Sequence, residues 1–173
     1  FKRTLRQAAL KHKLYATFMA KPMENQPGSS LHLHQSLYNK KNNKNIFYNN
    51  KNIISNIMKH YIGGLQKYTP LLMPVHAPNV NSFRRLFATW GTPRNLSWGI
   101  GNRSCGFRIP STEEKSMRIE NRISGSDTNP YLVIAANLAA GYLGIINKLK
   151  ATSETKKSLF ESKKSDLPKN MEE

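Results

Sequence analysis

The segment 30–38 alternates polar and apolar side chains, and this period of two constrains the fold more than any other feature of the sequence. Because successive side chains of a β-strand point to opposite faces of its sheet, the pattern predicts a half-buried strand. Its polar face carries His32, His34 and Ser36. Two imidazoles about 7 Å apart on one strand face suit a metal or phosphate site. The alternative is a solvent-facing strand whose two histidines have no function.

A second alternating segment, 117–123, places Arg118, Glu120 and Arg122 on one face of a predicted strand and isoleucines on the other. Two neighbouring arginines lower the pKa of a glutamate, so this carboxylate stays ionised and available to a cation. The arginine guanidinium groups suit phosphate and carboxylate groups. The alternative is a surface ion-pair ladder, which contributes little to stability.

Helical periodicity marks two longer segments. Apolar residues recur at steps of three and four over 52–68, which predicts an amphipathic helix. Asn129 and Pro130 begin another helix that runs to about residue 150, because asparagine caps a helix and proline fits its first position. Composition predicts a basic helix over 1–13, strands over 15–21, 46–48 and 96–110, a loop over 70–82, and a mobile polar extension over 151–173.

Basic residues outnumber acidic ones by 27 to 10, which gives a formal net charge of +17. This balance predicts anionic partners: nucleic acid, a membrane surface, or small phosphates and carboxylates. All seven arginines after Arg6 fall between residues 84 and 122, and glycines that permit close backbone approach stand among them. This clustering favours shaped recognition of anions over diffuse charge. A basic nucleic-acid-binding module is the alternative.

Other features exclude whole classes of protein. The single cysteine, Cys105, excludes an internal disulfide framework and a cysteine-based zinc site. The most apolar run, 131–146, is shorter than the roughly 20 residues that a membrane span requires, and it predicts a buried helix. The common phosphate-loop and nucleophile motifs are absent from the sequence. Patterning therefore indicates an anion and metal site on neighbouring strands without defining a reaction.

Four motifs in fixed order resemble the glutamine synthetase superfamily: KPMENQPGSSLHLHQSL, NVNSFRRL, NRSCGFRIP and RIENRISGSDTNPYLVIAANLAAG. The ENQPGS, SWGI and ENR sequences are most similar to its γ-glutamylpolyamine (γ-glutamylputrescine) synthetase branch. The resemblance implies an α+β fold, a curved antiparallel sheet backed by helices. Residues 1–150 correspond to the C-terminal portion of the catalytic domain, and residues 151–173 form a polar extension.

The resemblance implies an ATP-dependent ligase that joins the γ-carboxylate of glutamate to an amine through γ-glutamyl phosphate. The implied acceptor is putrescine or a related polyamine, and a glutamine synthetase that uses ammonia is the alternative. Mg²⁺ or Mn²⁺ is the implied cofactor, with ATP as co-substrate. Full-length family members form dodecamers of two hexameric rings. A cytoplasmic location is expected, with no membrane or nucleic-acid partner.

The resemblance also implies individual roles for ten residues of this chain, in metal binding, ATP binding, glutamate binding and catalysis. It assigns His32 and Glu120 to the metal near the ATP phosphates, His34, Ser36, Arg108 and Arg118 to ATP, and Gly28, Arg85, Arg103 and Arg122 to glutamate, with Arg85 and Arg103 also catalytic.

Three positions depart from the ammonia-using members of the family. Pro27 replaces an asparagine of the glutamate loop, and Gly91 stands where those members place a flap glutamate that helps select ammonium. Pro27 affects the usual contact to the α-amino group of glutamate, and the loss of the flap glutamate is compatible with a bulkier amine. Ser165 replaces a tyrosine that some bacterial members modify, so that regulation is not expected.

Much of the family's sequence has no counterpart in the chain. The resemblance does not extend to the N-terminal β-grasp domain or to the first half of the catalytic domain, which carries most of the metal-binding glutamates. We therefore expect the chain by itself to be inactive. A remnant that acts only through assembly with full-length subunits is the other interpretation.

Overall fold

The computed structural model describes residues 1–51, 53–88, 91–162 and 164–172. Its helices and strands follow one another along these ranges. They are α1 (Lys2–Lys11), β1 (Leu33–Gln35), β2 (Tyr38–Asn39), β3 (Lys44–Asn45), β4 (Tyr48–Asn49), β5 (Ile53–Ile54), α2 (Asn56–Tyr68), α3 (Met73–His76), α4 (Val80–Ala88), β6 (Trp98–Ile100), β7 (Phe107–Ile109), β8 (Ile119–Asn121) and α5 (Pro130–Ile146), with 3₁₀ helices at Thr69–Leu72 and Glu114–Ser116.

A four-stranded sheet in the order β1-β8-β7-β6 forms the centre of the fold. Strand β8 pairs antiparallel with both neighbours, whereas β6 and β7 run parallel. Parallel neighbours need a connection that returns along the strand. Here the six residues 101–106 suffice, because a three-residue strand is only about 10 Å long and six residues reach up to ~20 Å. Strands β2–β3 and β4–β5 form two small hairpin ladders.

Helices α2 and α5 cover the sheet and pack closely on each other. Each has a side-chain cap: Ser55 Oγ accepts from Met58 N at 3.1 Å, and Asn129 Oδ1 accepts from Tyr131 N at 3.0 Å. At their crossing a Cβ on Gly64 would lie 2.8 Å from Gly144 Cα, so glycine permits the contact. The apolar core between helices and sheet includes Phe47, Met58, Ile62, Leu65, Phe107, Ile109, Ile119 and Ile123.

The helices and the sheet agree with the predicted α+β class, and the parallel β6–β7 pair is the exception to an antiparallel sheet. Three local predictions are wrong. Residues 15–21 form no strand. Helix α2 begins at Asn56, because residues 53–54 pair with β4. The segment 70–82 is largely helical, since Pro70 and Pro74 each occupy a first-turn position where no N–H is needed.

The C-terminal segment also differs from the predicted mobile extension. Thr155 N donates to Trp98 O at 2.8 Å, and Asp166 N donates to Arg94 O at 2.9 Å. The Leu167 side chain is buried in the core. The C-terminal segment is therefore anchored to the rest of the fold at Thr155, Asp166 and Leu167.

The described helices include none with the length and hydropathy of a membrane span. The longest, α5, has 17 residues. The predicted flap segment after Arg85 includes residues 89 and 90, which lie outside the described ranges. Gly91, which follows them, has a φ of 83°.

Candidate active site

Glu120 lies at the centre of a polar cluster on one face of the sheet. Strand β8 is flanked by β1 and β7, and the register places both His34 and Arg108 directly opposite Glu120. Side chains directly opposite each other on antiparallel strands have Cβ atoms about 5 Å apart. The alternation seen in the sequence therefore converges on one carboxylate once these three strands pair.

Four side chains surround the Glu120 carboxylate, which belongs to a residue only 3% exposed. Arg108 Nη1 donates to Oε2 at 3.0 Å, and Arg122 Nη1 donates to Oε1 at 2.9 Å. His32 Nδ1 lies 3.1 Å from Oε1, and His34 Nε2 lies 3.8 Å from the same oxygen. We call these five residues the Glu120 cluster.

The protonation state of Glu120 follows from these contacts. Burial raises the pKa of the carboxyl, but hydrogen bonds from His32 and Arg108 and the charge of Arg122 bring the pKa down to about 2. The carboxylate is therefore ionised at neutral pH. Two guanidinium groups around one carboxylate leave the Glu120 cluster with excess positive charge, which suits an anionic ligand.

His34 has a defined tautomer in this arrangement. Arg118 Nε donates to His34 Nδ1 at 3.1 Å, and Arg118 Nη1 donates to Ser116 O at 2.8 Å. Burial lowers the pKa of His34 and outweighs the opposing effect of Glu120, so the imidazole is neutral at pH 7. Since Nδ1 accepts a hydrogen bond, Nε2 carries the proton and faces Glu120.

The cluster offers the types of ligand atom that a divalent metal ion binds, but too few of them to complete its coordination. A carboxylate and an imidazole nitrogen are ordinary ligands of Mn²⁺, and a carboxylate is an ordinary ligand of Mg²⁺. His34 Nε2 is protonated, which leaves Glu120 and His32 as the available donors. Across the described ranges, no three His, Cys, Asp or Glu side chains are grouped to hold a metal ion. These two residues would therefore supply part of a coordination sphere.

Arg85 is not among the side chains that contact the Glu120 carboxylate. Arg85, on α4, is 2% exposed, and its Nη2 donates to Ile123 O at 2.6 Å and to Ser124 O at 2.9 Å. Burial lowers the pKa of Arg85 to about 10, so it remains charged. The structure thus places this predicted glutamate-binding and catalytic arginine beneath the backbone that follows β8, with its charge directed at main-chain carbonyls.

The other predicted site residues lie on loops and at a strand end. Arg103 is exposed in the 101–106 loop, and Ser36 is exposed immediately after β1. Gly28 lies part-buried in the loop before β1. The 101–106 loop meets β8 at the cluster, because Gly106 O accepts from Arg122 N at 2.9 Å. The structure therefore brings six of the ten predicted residues together, the Glu120 cluster and Arg118.

The structure adds a buried polar network that the sequence reasoning missed. His76 Nδ1 lies 2.7 Å from Ser124 Oγ, and Ser82 Oγ donates to Asp127 Oδ2 at 2.7 Å. Both side-chain contacts join α3 or α4 to the segment after β8. The only available signal was the SGSD sequence beside the RIENR motif, and its partners lie more than 40 positions away. This network and Arg85 hold the chain segment that carries Arg122.

Comparison with known proteins identifies the family. All of residues 1–173 match the family model described as glutamine synthetase, catalytic domain. The chain is 40% identical over 153 residues to γ-glutamylputrescine synthetase PuuA of Escherichia coli, covering 88% of this chain and 32% of that protein. It is 39% identical over 161 residues to glutamine synthetase of Pyrococcus furiosus, covering 93% and 36% respectively.

Two further proteins extend the comparison, one a ligase named for a different amine and one a solved structure. Glutamate–isopropylamine ligase of Pseudomonas is 39% identical over 151 residues, covering 86% of this chain and 33% of that protein. A solved structure described as apo GmaS without ligand superposes with a TM-score of 0.87 at 32% identity, covering 99% of this chain and 40% of that one. The chain thus spans about one third of the length of the curated relatives that it matches. By sequence and by fold, the chain belongs to the glutamine synthetase catalytic-domain family.

Proposed function

We propose that the chain supplies ATP-binding and glutamate-binding residues of a ligase that joins the γ-carboxylate of glutamate to an amine through γ-glutamyl phosphate. The observation that carries the proposal is the Glu120 cluster, in which arginines and histidines from three paired strands meet at one buried carboxylate. Family membership supports the reaction class. The Glu120 cluster supports the roles proposed for its residues.

The proposed roles follow from charge. Phosphoryl transfer places negative charge on the oxygens of the transferred group, and fixed cations stabilise that charge. Arg108 and Arg118, with His34 and Ser36, bind the ATP phosphates, while Arg122, Arg103 and Gly28 bind glutamate. Arg85 acts beneath them by holding the backbone after β8. A bound Mg²⁺ or Mn²⁺, held in part by Glu120 and His32, supplies further positive charge to the phosphates.

The proposed acceptor is putrescine or a similar amine. The names of the Escherichia coli and Pseudomonas relatives specify amines larger than ammonia. Gly91, at the position where the resemblance places a flap glutamate in ammonia-using members, supports the same acceptor class. Glutamine synthetases match at nearly the same identity and support ammonia as the alternative. A cytoplasmic dodecamer of two hexameric rings is the proposed state of the full-length protein.

Calorimetric titration of the chain with ATP and Mg²⁺ tests the proposal. A charge-assisted hydrogen bond contributes about 1.5–3 kcal/mol, so Arg118→Gln should weaken ATP binding about tenfold or more. Lys40→Gln, an exposed charge change in the β2–β3 turn, is the matched control and should have little effect. Equal effects of the two substitutions would contradict the proposal. Tight DNA binding with steep salt dependence would favour the nucleic-acid module instead.

The acceptor is tested separately by following ATP-dependent formation of γ-glutamyl amides from glutamate with either putrescine or ammonium. We expect no product from the chain alone and preferential use of putrescine by a protein that joins this chain to the remaining family segments. Product formation by the isolated chain would contradict the first expectation. Preference for ammonium would contradict the proposed acceptor.

A further inference from the structure

The C-terminal segment 151–159 lies along the outer edge of β6, directly before the loop that carries Arg103. Thr155 N donates to Trp98 O at 2.8 Å, and Trp98 Nε1 donates to Thr152 O at 2.7 Å. Gly99 permits this approach, because a Cβ at that position would lie 2.5 Å from Thr155 O. The segment is therefore fixed to the strand that leads into the 101–106 loop.

The two residues that flank Arg103 both bind this segment. Asn102 Nδ2 donates to Thr155 O at 2.9 Å and to Lys157 O at 3.0 Å. On the other side, Ser104 Oγ accepts from Leu159 N at 2.9 Å. Arg103 itself is exposed between these two anchored neighbours.

Asn102 also closes the turn around Arg103. Its Oδ1 accepts from Ser104 N at 3.0 Å and from Ser104 Oγ at 2.6 Å. One amide side chain thus uses its NH₂ group to hold the C-terminal segment and its oxygen to hold the turn. Such local side-chain to backbone bonds fix a turn that the backbone alone leaves mobile.

We infer that Asn102 is a positioning residue for Arg103, and that the segment 151–159 is the strap that fixes the arginine's backbone in the 101–106 loop. This inference rests on the proposed function, in which Arg103 binds the anionic substrate. A long arginine side chain loses much rotational freedom on binding an anion, and a fixed backbone limits the additional ordering that binding requires. The strap therefore raises anion affinity without touching the anion.

Hydrogen exchange tests the positioning without any ligand. In Asn102→Ala, the amides of residues 101–105 should exchange at least tenfold faster than in the wild-type chain. Lys156→Ala, an exposed change within the strap, is the matched control and should leave that exchange unaltered. Ser104→Ala, which removes only the acceptor for Leu159 N and the hydroxyl bond to Asn102, provides a second variant if Asn102→Ala does not fold. Unchanged exchange in the folded variants would overturn the inference.

A double-mutant cycle on glutamate affinity in the presence of Mg²⁺ separates positioning from general stability. Asn102→Ala should weaken binding about tenfold in the wild-type background and have no further effect in the Arg103→Ala background, because it acts through Arg103. Additive losses would overturn the inference. Failure of the wild-type chain to bind glutamate would instead contradict the proposed function, and hydrogen exchange would still decide whether the strap fixes the turn.

Discussion

The Glu120 carboxylate shows how one residue organises charge in this molecule. It is nearly fully buried, and arginine guanidinium groups from β7 and from the residue after β8 contact both of its oxygens. A buried ion pair contributes modestly to stability as a whole, but removal of one partner leaves the other charge uncompensated. Glu120 therefore maintains the fold of the cluster as well as its chemistry.

Glu120→Gln should destabilise the chain by about 3 kcal/mol or more, because it leaves Arg108 and Arg122 facing a neutral amide in a largely dry environment. Urea unfolding at pH 7 measures this change. Glu113→Gln removes a carboxylate from an exposed position and should change the free energy of unfolding by less than ~0.5 kcal/mol. Comparable losses from both substitutions would contradict the account.

His76 should make the chain acid-sensitive. Burial lowers its pKa from 6.5 to about 4, so below pH 6.5 the unfolded chain takes up a proton that the folded chain refuses. The contribution is zero above pH 6.5, and stability falls by about 3 kcal/mol between pH 6.5 and 4. His76→Gln should remove this part of the pH dependence in urea unfolding. An unchanged pH profile in the variant would refute the assignment.

For the strands, the sequence predicted which side chains share a face of the sheet. It did not predict which strands pair with each other. The period of two correctly placed His34 and Glu120 on one face of the sheet, with His32 directly before β1, because alternation is a local property. Their meeting depends on the β1–β8 pairing, which joins residues more than 80 positions apart. The loop predicted over 70–82 was wrong because proline is compatible with the first turn of a helix as well as with a loop.

The α2–α5 crossing gives a prediction at this scale. Gly64→Ala should destabilise the chain by about 1–3 kcal/mol, because the new Cβ clashes with Ala140 O and meets Gly144 backbone atoms at 2.8–2.9 Å. Helix propensity alone predicts the opposite, a gain of up to ~1 kcal/mol. Thermal unfolding distinguishes the two outcomes. Lys59→Ala, on the exposed side of α2, controls for general effects of substitution in this helix.

Over the whole molecule, positive charges far outnumber negative ones, and the arginines and the lysines differ in their environment. The arginines of 108–122 are partly buried around Glu120, whereas the lysines of the 39–51 region project into solvent. Composition alone indicated an anion binder. Only the folded arrangement distinguishes the arginines that contact Glu120 from the lysines that add to overall repulsion.

This repulsion predicts a salt effect on stability. Self-repulsion at a net charge of +17 destabilises the compact state, and salt screens it. The melting temperature should therefore rise between 10 and 150 mM NaCl. A variant with glutamine at all of Lys40, Lys41, Lys44 and Lys51 should show a smaller rise. An equal or larger rise in the variant would show that these lysines do not contribute to the repulsion.

The position of the strap along β6 also bears on intermolecular association. The outward-facing backbone of β6 is engaged, since Thr155 N binds Trp98 O and Glu154 Oε1 accepts from Ile100 N at 3.4 Å. An edge strand covered in this way offers no free ladder to a strand from another molecule. Release of the C-terminal segment would thus uncover a template for β-strand addition, and the same strap that positions Arg103 protects the chain against sheet-mediated aggregation.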